Sequence, residues 1–345
     1  MRLASWLLTL LGVVVLAVAS MPLWPRSSRL RPPSGGEAAM LAVLGLACLA
    51  AACLFMLQAR RAVRADQLRQ QGAAEAQRLI RSGLFDDYVE LTQQPVVRLE
   101  EAPGDTHAYA TNLGGPFYAP PGFDWPRTAL GQLMLPLAQL NFAELPRLPG
   151  FPDSGMLQFF IADEDSYGMD LDNLTSQTGF RVIYHREVGE ITLPNPVPVA
   201  SDAEGLPFPD ALRLVATPAS MVMPASDWRC TDAVAASWRR HLGHLGEPSA
   251  EVVRGLVDAV AEAGYSGSDD RLLVGGHQMG GYPQFTQEDP REGAPQLRGH
   301  TTVLLLLDST GSVNWGDAGV GCFLIEPQRL ANRDFSNVMY SWDCG

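Results

Sequence analysis

Gly155-Met156-Leu157-Gln158-Phe159-Phe160-Ile161 and Gly319-Val320-Gly321-Cys322-Phe323-Leu324-Ile325 are short apolar runs, each opened by a glycine, and their recurrence decides how the chain is read. Runs of this length bounded by turn residues read as buried strands rather than helices. What precedes them recurs too. Gly114-Gly115-Pro116 leads to Leu137-Ala138-Gln139-Leu140-Asn141, with Gly115 standing 26 residues before Asn141. Gly280-Gly281-Tyr282-Pro283 leads to Leu304-Leu305-Leu306-Leu307-Asp308, with Gly281 standing 27 residues before Asp308. Three features in the same order at nearly the same spacing predict two related sheet units. Such a repeat concerns architecture and says nothing about chemistry.

Outward from these runs, Pro and Gly punctuate short apolar segments, and strands are expected at 156–162, 180–185, 212–217, 272–275, 301–308, 320–326 and 338–342. Two helices interrupt them. Ser249 is a good N-cap for 250–263, where Val252, Val253, Leu256, Val257 and Val260 form one stripe and Gly264 ends it. A weaker helix is expected at 232–241, and the Pro-rich stretch 189–209 reads as a connecting loop. The expected class is α+β with mostly antiparallel sheet.

The other end of the chain reads differently. Residues 4–24 and 38–57 are two charge-free apolar runs, each near the ~20 residues a helix needs to cross a ~30 Å hydrocarbon core. Trp6 and Trp24 lie near the ends of the first, where indole rings favour the headgroup zone. The organisation expected is a transmembrane hairpin at 1–59, a polar helical segment at 60–94 and a globular domain at 95–345. Arg2 before the hairpin and Arg60, Arg61, Arg64 and Arg69 after it favour both ends in the cytoplasm, although Arg26, Arg29 and Arg31 in the loop pull the other way. A rival reading makes the first run a signal peptide cut after Ala17-Val18-Ala19; the second run would then still cross from outside to inside. Both readings put the large domain at the cytoplasmic face of a bacterial inner membrane.

Charge is divided unevenly. Residues 1–81 hold ten Arg against Glu37, Asp66 and Glu75, a balance of +7, so the remainder carries −20 to give the −13 of the whole chain. So acidic a surface repels phosphate backbones, and nucleic acid is not an expected partner. All 25 basic side chains are Arg. Without Lys, Schiff-base chemistry, a Walker A loop and a kinase-type strand lysine are excluded, because each needs a primary amine. Cys48 and Cys53 sit in an apolar run, and Cys230, Cys322 and Cys344 show no CxxC spacing, so neither a zinc site nor a disulfide framework is indicated and a reducing compartment fits.

Candidate chemistry is sparse. His277 ahead of Gly280-Gly281-Tyr282 can place an imidazole at a tight turn, where glycine lets backbone approach a ligand. The bland alternative is that a strand ends there. Asp308 and Asp317 flank an expected hairpin with Trp315-Gly316 at its tip, so their carboxylates can converge, or Asp317 can simply cap the turn. Residues 163–173 crowd five acids and begin like a calcium loop, but Tyr167 and Leu174 occupy the fifth and twelfth places, where ligands are needed. No G-x-S-x-G, H-E-x-x-H or G-x-G-x-x-G pattern occurs in context, and no cofactor is indicated.

Four segments carry a resemblance. They are Leu113-Gly114-Gly115 with Gly122-Phe123-Asp124-Trp125-Pro126; Gly155 to Phe160; His277-Gln278-Met279-Gly280-Gly281-Tyr282-Pro283 with Gln287; and Asn314-Trp315-Gly316-Asp317-Ala318-Gly319, followed by Arg333-Asp334-Phe335-Ser336 and Ser341-Trp342-Asp343-Cys344. In this order, over 96–345, they resemble the YwqG-like family, bacterial proteins grouped under a domain of unknown function. The resemblance implies an α+β fold with mostly antiparallel sheet, and supplies neither an activity nor catalytic residues. The hairpin departs from the soluble form of that family.

Two function classes follow. One is a non-catalytic binding module for a protein or small ligand, with His277, Gln287, Trp315, Asp317 and Trp342 as the expected ligand-binding residues and no metal. The other is a hydrolase-type enzyme using His277 with Asp308 or Asp317. The first is favoured because no nucleophile-and-base arrangement is visible.

Overall fold

The computed structural model describes residues 43, 83–191, 205–266 and 275–345. Apart from Val43, these belong to the C-terminal of two units, residues 75–345. The apolar runs 4–24 and 38–57 lie outside them; among the described residues no helix is long and apolar enough to cross a membrane.

In chain order the elements are α1 (Phe85–Thr92), β1 (Gln94–Ala102), β2 (Asn112–Leu113), β3 (Leu135–Asn141), β4 (Met156–Ile161), β5 (Phe180–His185) and β6 (Leu212–Met221). They continue with α2 (Cys230–Leu242), α3 (Ala250–Ser266), β7 (His277–Gly280), α4 (Pro290–Gly293), β8 (Thr302–Asp308), β9 (Val320–Ile325), α5 (Pro327–Ala331) and β10 (Val338–Asp343). The ten strands form one sheet in the order β10-β9-β8-β7-β1-β6-β2-β3-β4-β5, and every pairing in it is antiparallel. The expected strands at 180–185, 301–308, 320–326 and 338–342 are found within a residue at either end. Three expectations are corrected. Residues 272–274 of the strand expected at 272–275 lie outside the described residues, and His277 opens β7, so it lies in a strand and not at a turn. The strand from Leu212 runs on to Met221, and the helix from Ala250 passes Gly264 to Ser266.

Strand order divides the sheet at the β1–β6 seam into two series, β2-β3-β4-β5 beside β6 and β7-β8-β9-β10 beside β1. Their registers correspond residue by residue. Leu135 faces Ile161 and Asn141 faces Met156, with a bulge between Pro136 and Ala138. Thr302 faces Ile325 and Asp308 faces Val320, with a bulge between Val303 and Leu305. β1, which precedes the first series in the chain, pairs with β7 of the second, whereas β6, which precedes the second, pairs with β2 of the first. Each series is thus extended by the strand that leads into the other.

Alternation along the strands separates two faces. The inner faces of the two series meet: Phe159 and Phe180 pack on Phe323, Phe180 on Tyr340, and Tyr340 stacks on Phe323 with ring centroids 4.3 Å apart. The amide of Tyr340 on edge strand β10 donates to the Leu174 carbonyl at 2.8 Å, which covers that edge and brings the sheet near to a barrel. On the outer side of the seam lie α1, α2 and α3. Tyr88, Val89, Val234, Trp238, Leu256 and Val260 pack there with Val96 and Met221. His241 Nδ1 and Asp87 Oδ2, 2.8 Å apart, tie α2 to α1.

Candidate functional site

Four of the five residues expected to bind a ligand gather where the chain ends. Trp315 stands in the loop between β8 and β9; its amide donates to Ser309 Oγ (2.9 Å), and Ser309 Oγ donates to the Gly319 carbonyl (2.7 Å). The indole lies on Gly321, where an added Cβ would come within 2.6 Å of Cζ2, so only glycine fits beneath it. Trp342 on β10 donates from Nε1 to the Trp315 carbonyl at 3.0 Å, and the Tyr167 ring meets both indoles edge-on at 4.9 and 5.0 Å. Burial holds the Tyr167 hydroxyl above the ordinary phenol range, and Cys344 and Asp165 push the same way. Gln287 donates from its amide to Asp343 Oδ2 (2.8 Å) and from Nε2 to the Cys344 carbonyl (2.7 Å), while the Gly345 amide donates to the Asp317 carbonyl (2.7 Å). Burial raises the Asp343 carboxyl, with hydrogen bonds from the Gln287 and Thr286 amides opposing it.

These residues differ in exposure. Trp315 is wholly buried and belongs to the core, Trp342 is half-buried, and Gln287 and Asp317 are exposed. His277 stands apart, three strands from β10. Its Nδ1 accepts from the main-chain amide of Asp308 at 3.1 Å, so the ring's proton sits on Nε2, which has no partner among the described residues. Burial lowers its pKa, with Glu101 and Asp308 pulling the other way. The Asp308 carboxylate accepts from the Gly276 amide (2.8 Å) rather than meeting the imidazole, and among the described residues the exposed Asp317 forms no hydrogen bond or ion pair with His277. No group of three or more His, Cys, Asp or Glu among the described residues is arranged to hold a metal ion, the acidic run 163–173 included.

The outer face of the first series holds a polar cluster that sequence reasoning missed. Gln139 and Gln158 are fully buried on adjacent strands. Gln158 Nε2 donates to the Tyr118 carbonyl (2.7 Å) and to Gln139 Oε1 (2.8 Å), its Oε1 accepts from His185 Nε2 (2.9 Å), and Gln139 Oε1 also accepts from the Tyr118 amide (2.7 Å). Burial lowers the His185 pKa, consistent with a neutral ring in this network. The available signal was an amide side chain in the middle of each apolar run.

The two Gly-Gly turns use one device. Asn112 Nδ2 donates to the Pro116 carbonyl (3.4 Å), and Gln278 Nε2, at the matching register position, donates to the Tyr282 carbonyl (2.8 Å). A buried amide thus folds back onto each turn and satisfies carbonyls that strand pairing leaves over. Gly114 and Gly280 carry φ of 58° and 77°, which explains the glycines without a ligand.

DUF1963, a domain of unknown function, matches residues 111–344, two thirds of the chain. The chain belongs to this family. No curated protein matches it. The DUF1963 match includes both strand series and the C-terminal corner but begins after β1, so the central strand of the sheet is supplied from outside the matched segment.

Proposed function

We propose that the DUF1963 domain is a non-catalytic binding module, held at the cytoplasmic face of a membrane by the apolar runs 4–24 and 38–57. The reading rests chiefly on the state of His277. A general base needs its acceptor nitrogen free to face a nucleophile and commonly a carboxylate to orient it. Here the acceptor nitrogen is committed to a main-chain amide, and both Asp308 and Asp317 are engaged or placed elsewhere, which disfavours the hydrolase reading. Exposed Gln287 and Asp317 beside half-buried Trp342 and Tyr167 offer polar groups next to an apolar wall, the usual composition of a recognition surface. The matching strand registers support a further proposal, that the two series arose by duplication.

The test compares capture of partners from membranes by the wild-type chain, Asp317→Asn and His277→Gln, together with thermal unfolding of each. A partner retained by His277→Gln and lost by Asp317→Asn, with unfolding temperatures unchanged, supports the reading. Partners unaffected by Asp317→Asn would place the functional surface elsewhere. For the membrane topology, a reporter active only in the cytoplasm and fused after Gly345 is expected to be active, and one active only outside to be silent. The reverse result overturns the location.

A further inference from the structure

The Gly122-Phe123-Asp124-Trp125-Pro126 motif takes no part in the C-terminal corner. It forms one wall of a separate cleft of about 240 Å³ on the outer side of the first strand series, lined by Asp124, Trp125, Pro126, Arg127, Arg181 and Ile183. Trp125 is anchored by donation from Nε1 to the Met134 carbonyl (2.8 Å) and by edge-on contact with Phe160 at 5.0 Å, so the floor is fixed.

Two guanidinium groups line this cleft, and each is held by a carbonyl. Arg127 Nη1 donates to the Gly131 carbonyl (2.8 Å) across the small hairpin that pairs Arg127 with Leu133. Arg181, on edge strand β5, donates from Nη2 to the Gln177 carbonyl (3.1 Å). Gln177 is itself fixed, accepting from the Val182 amide (3.0 Å) and donating to the Phe335 carbonyl (2.8 Å). A guanidinium has five N–H donors, so most of those on each arginine remain available. Neither forms an ion pair among the described residues, and Asp124 in the same cleft lies beyond ion-pair distance of both. The part of the chain after residue 81 carries a surplus of twenty negative charges, so two cations that share one cleft and are ion-paired with no described carboxylate, not even Asp124 in the same lining, are against expectation. Like charges lining one cleft repel, and an anion between them removes that repulsion.

We propose that this cleft binds the oxyanion of a small ligand, a carboxylate or a phosphate, between Arg127 and Arg181, with its apolar part against Trp125, Pro126 and Ile183. Guanidinium matches the two-oxygen geometry of these groups. The volume falls below the ~300–1,000 Å³ of pockets that enclose whole drug-sized ligands, so the cleft takes a very small molecule or one end of a larger one. Asp124 tunes the preference: its carboxylate disfavours doubly charged anions and favours a ligand that also carries a cationic nitrogen. This inference does not depend on the C-terminal corner being a binding surface.

The experiment uses the full-length chain and titrates acetate and inorganic phosphate separately, followed by ligand-detected NMR at constant ionic strength with chloride as the balancing anion. Saturable binding of at least one is expected. Arg127→Gln and Arg181→Gln should each weaken it about tenfold, Asp124→Asn should strengthen phosphate binding more than acetate binding, and Arg186→Gln, exposed and outside the cleft, should leave both unchanged. Acetate binding alone points to a carboxylate ligand, and phosphate binding alone to a phosphorylated one. Thermal unfolding of each variant identifies any loss of fold, in which case Arg181→Lys, which keeps the charge and loses the two-pronged geometry, replaces it and should bind weakly. No saturable binding of either anion, or binding equal to wild type in both Arg→Gln variants, overturns the proposal. Unchanged anion binding in Asp317→Asn separates this cleft from the C-terminal corner.

Discussion

Where β4 places Gln158, β9 places Cys322, and where β3 places Gln139, β8 places Leu306; the backbone register is the same and the chemistry is not. The first series builds its outer face on a neutral hydrogen-bond network of two glutamines, Tyr118 and His185. The second packs Cys322 and Leu306 with Val303, Leu324 and Met339, and is covered by a segment that carries a buried ion pair. There Arg291, fully buried, donates from Nε and Nη2 to the Asp289 carboxylate (2.9 and 2.6 Å), with Asp227 3.6 Å away. Burial drives the Cys322 thiol far above its ordinary range, so it serves as a small apolar filler. One backbone plan thus tolerates either solution, with the buried side chains at its centre, Gln139 and Gln158 in one cover and Arg291 in the other, each hydrogen-bonded.

The largest effect that distinguishes the two covers is expected at the ion pair. Arg291→Met leaves Asp289 and Asp227 buried with one cation fewer, and should cost about 3–5 kcal/mol in chemical denaturation. Adding Asp289→Asn should recover part of that loss, since an unpaired carboxylate and not the missing side chain is the main penalty. If the single variant costs no more than an exposed substitution, the two faces do not differ as described. The neutral network should be less sensitive. Gln158→Leu, which copies the apolar character of the second series, orphans the Tyr118 carbonyl and His185 Nε2 and should cost about 1–3 kcal/mol.

How much of this the residues disclosed depends on where each strand sits. β4, β8 and β9 are mostly apolar, and Gly155, Gly179 and Gly319 stand immediately before β4, β5 and β9, so these strands are plain. β1 and β6 form the central seam, yet each contains a proline and polar residues that argue against a central strand. Register removes the conflict: Pro95 faces Ser220 on β6 but lies beyond the stretch paired with β7, and Pro218 lies beyond the two residues of β6 that pair with β2. In both places one side of the strand is unpaired, which is where a residue without an N–H is tolerated. β2 has two residues and no pattern to read. Of the expected ligand-binding residues, Trp315, Trp342, Gln287 and Asp317 come from segments that converge on the chain end, whereas His277 opens β7, three strands from β10. Gln139 and Gln158 were passed over because burial of an amide depends on partners from Tyr118 and His185, which are distant in sequence.

The finest test of the comparison exchanges one residue between the series. Thr111 and His277 occupy matching positions: Thr111 Oγ1 accepts from the Asn141 amide at 3.1 Å, and His277 Nδ1 accepts from the Asp308 amide at the same distance. His277→Thr therefore keeps an acceptor for Asp308 while removing the ring, and should cost about 1–2 kcal/mol at neutral pH for the lost packing. The difference should show in pH dependence. Burial lowers the folded pKa of His277, so the folded chain holds the ring neutral when the unfolded chain, near ~6.5, has begun to bind a proton. Its contribution is fully present above the unfolded pKa and is lost as pH falls from there toward the folded value. His185 and His300 are lowered by burial too and add in the same direction. Wild-type stability should accordingly fall between about pH 7 and pH 5, and His277→Thr should fall less steeply over that range, with a residual slope from the other two histidines. Denaturant melts across this range read both quantities. An unchanged slope would mean that the His277 ring is protonated within the fold, which would reopen it as an acid–base group. A reduced slope with binding intact would mark His277 as the second series' counterpart of Thr111, a main-chain acceptor.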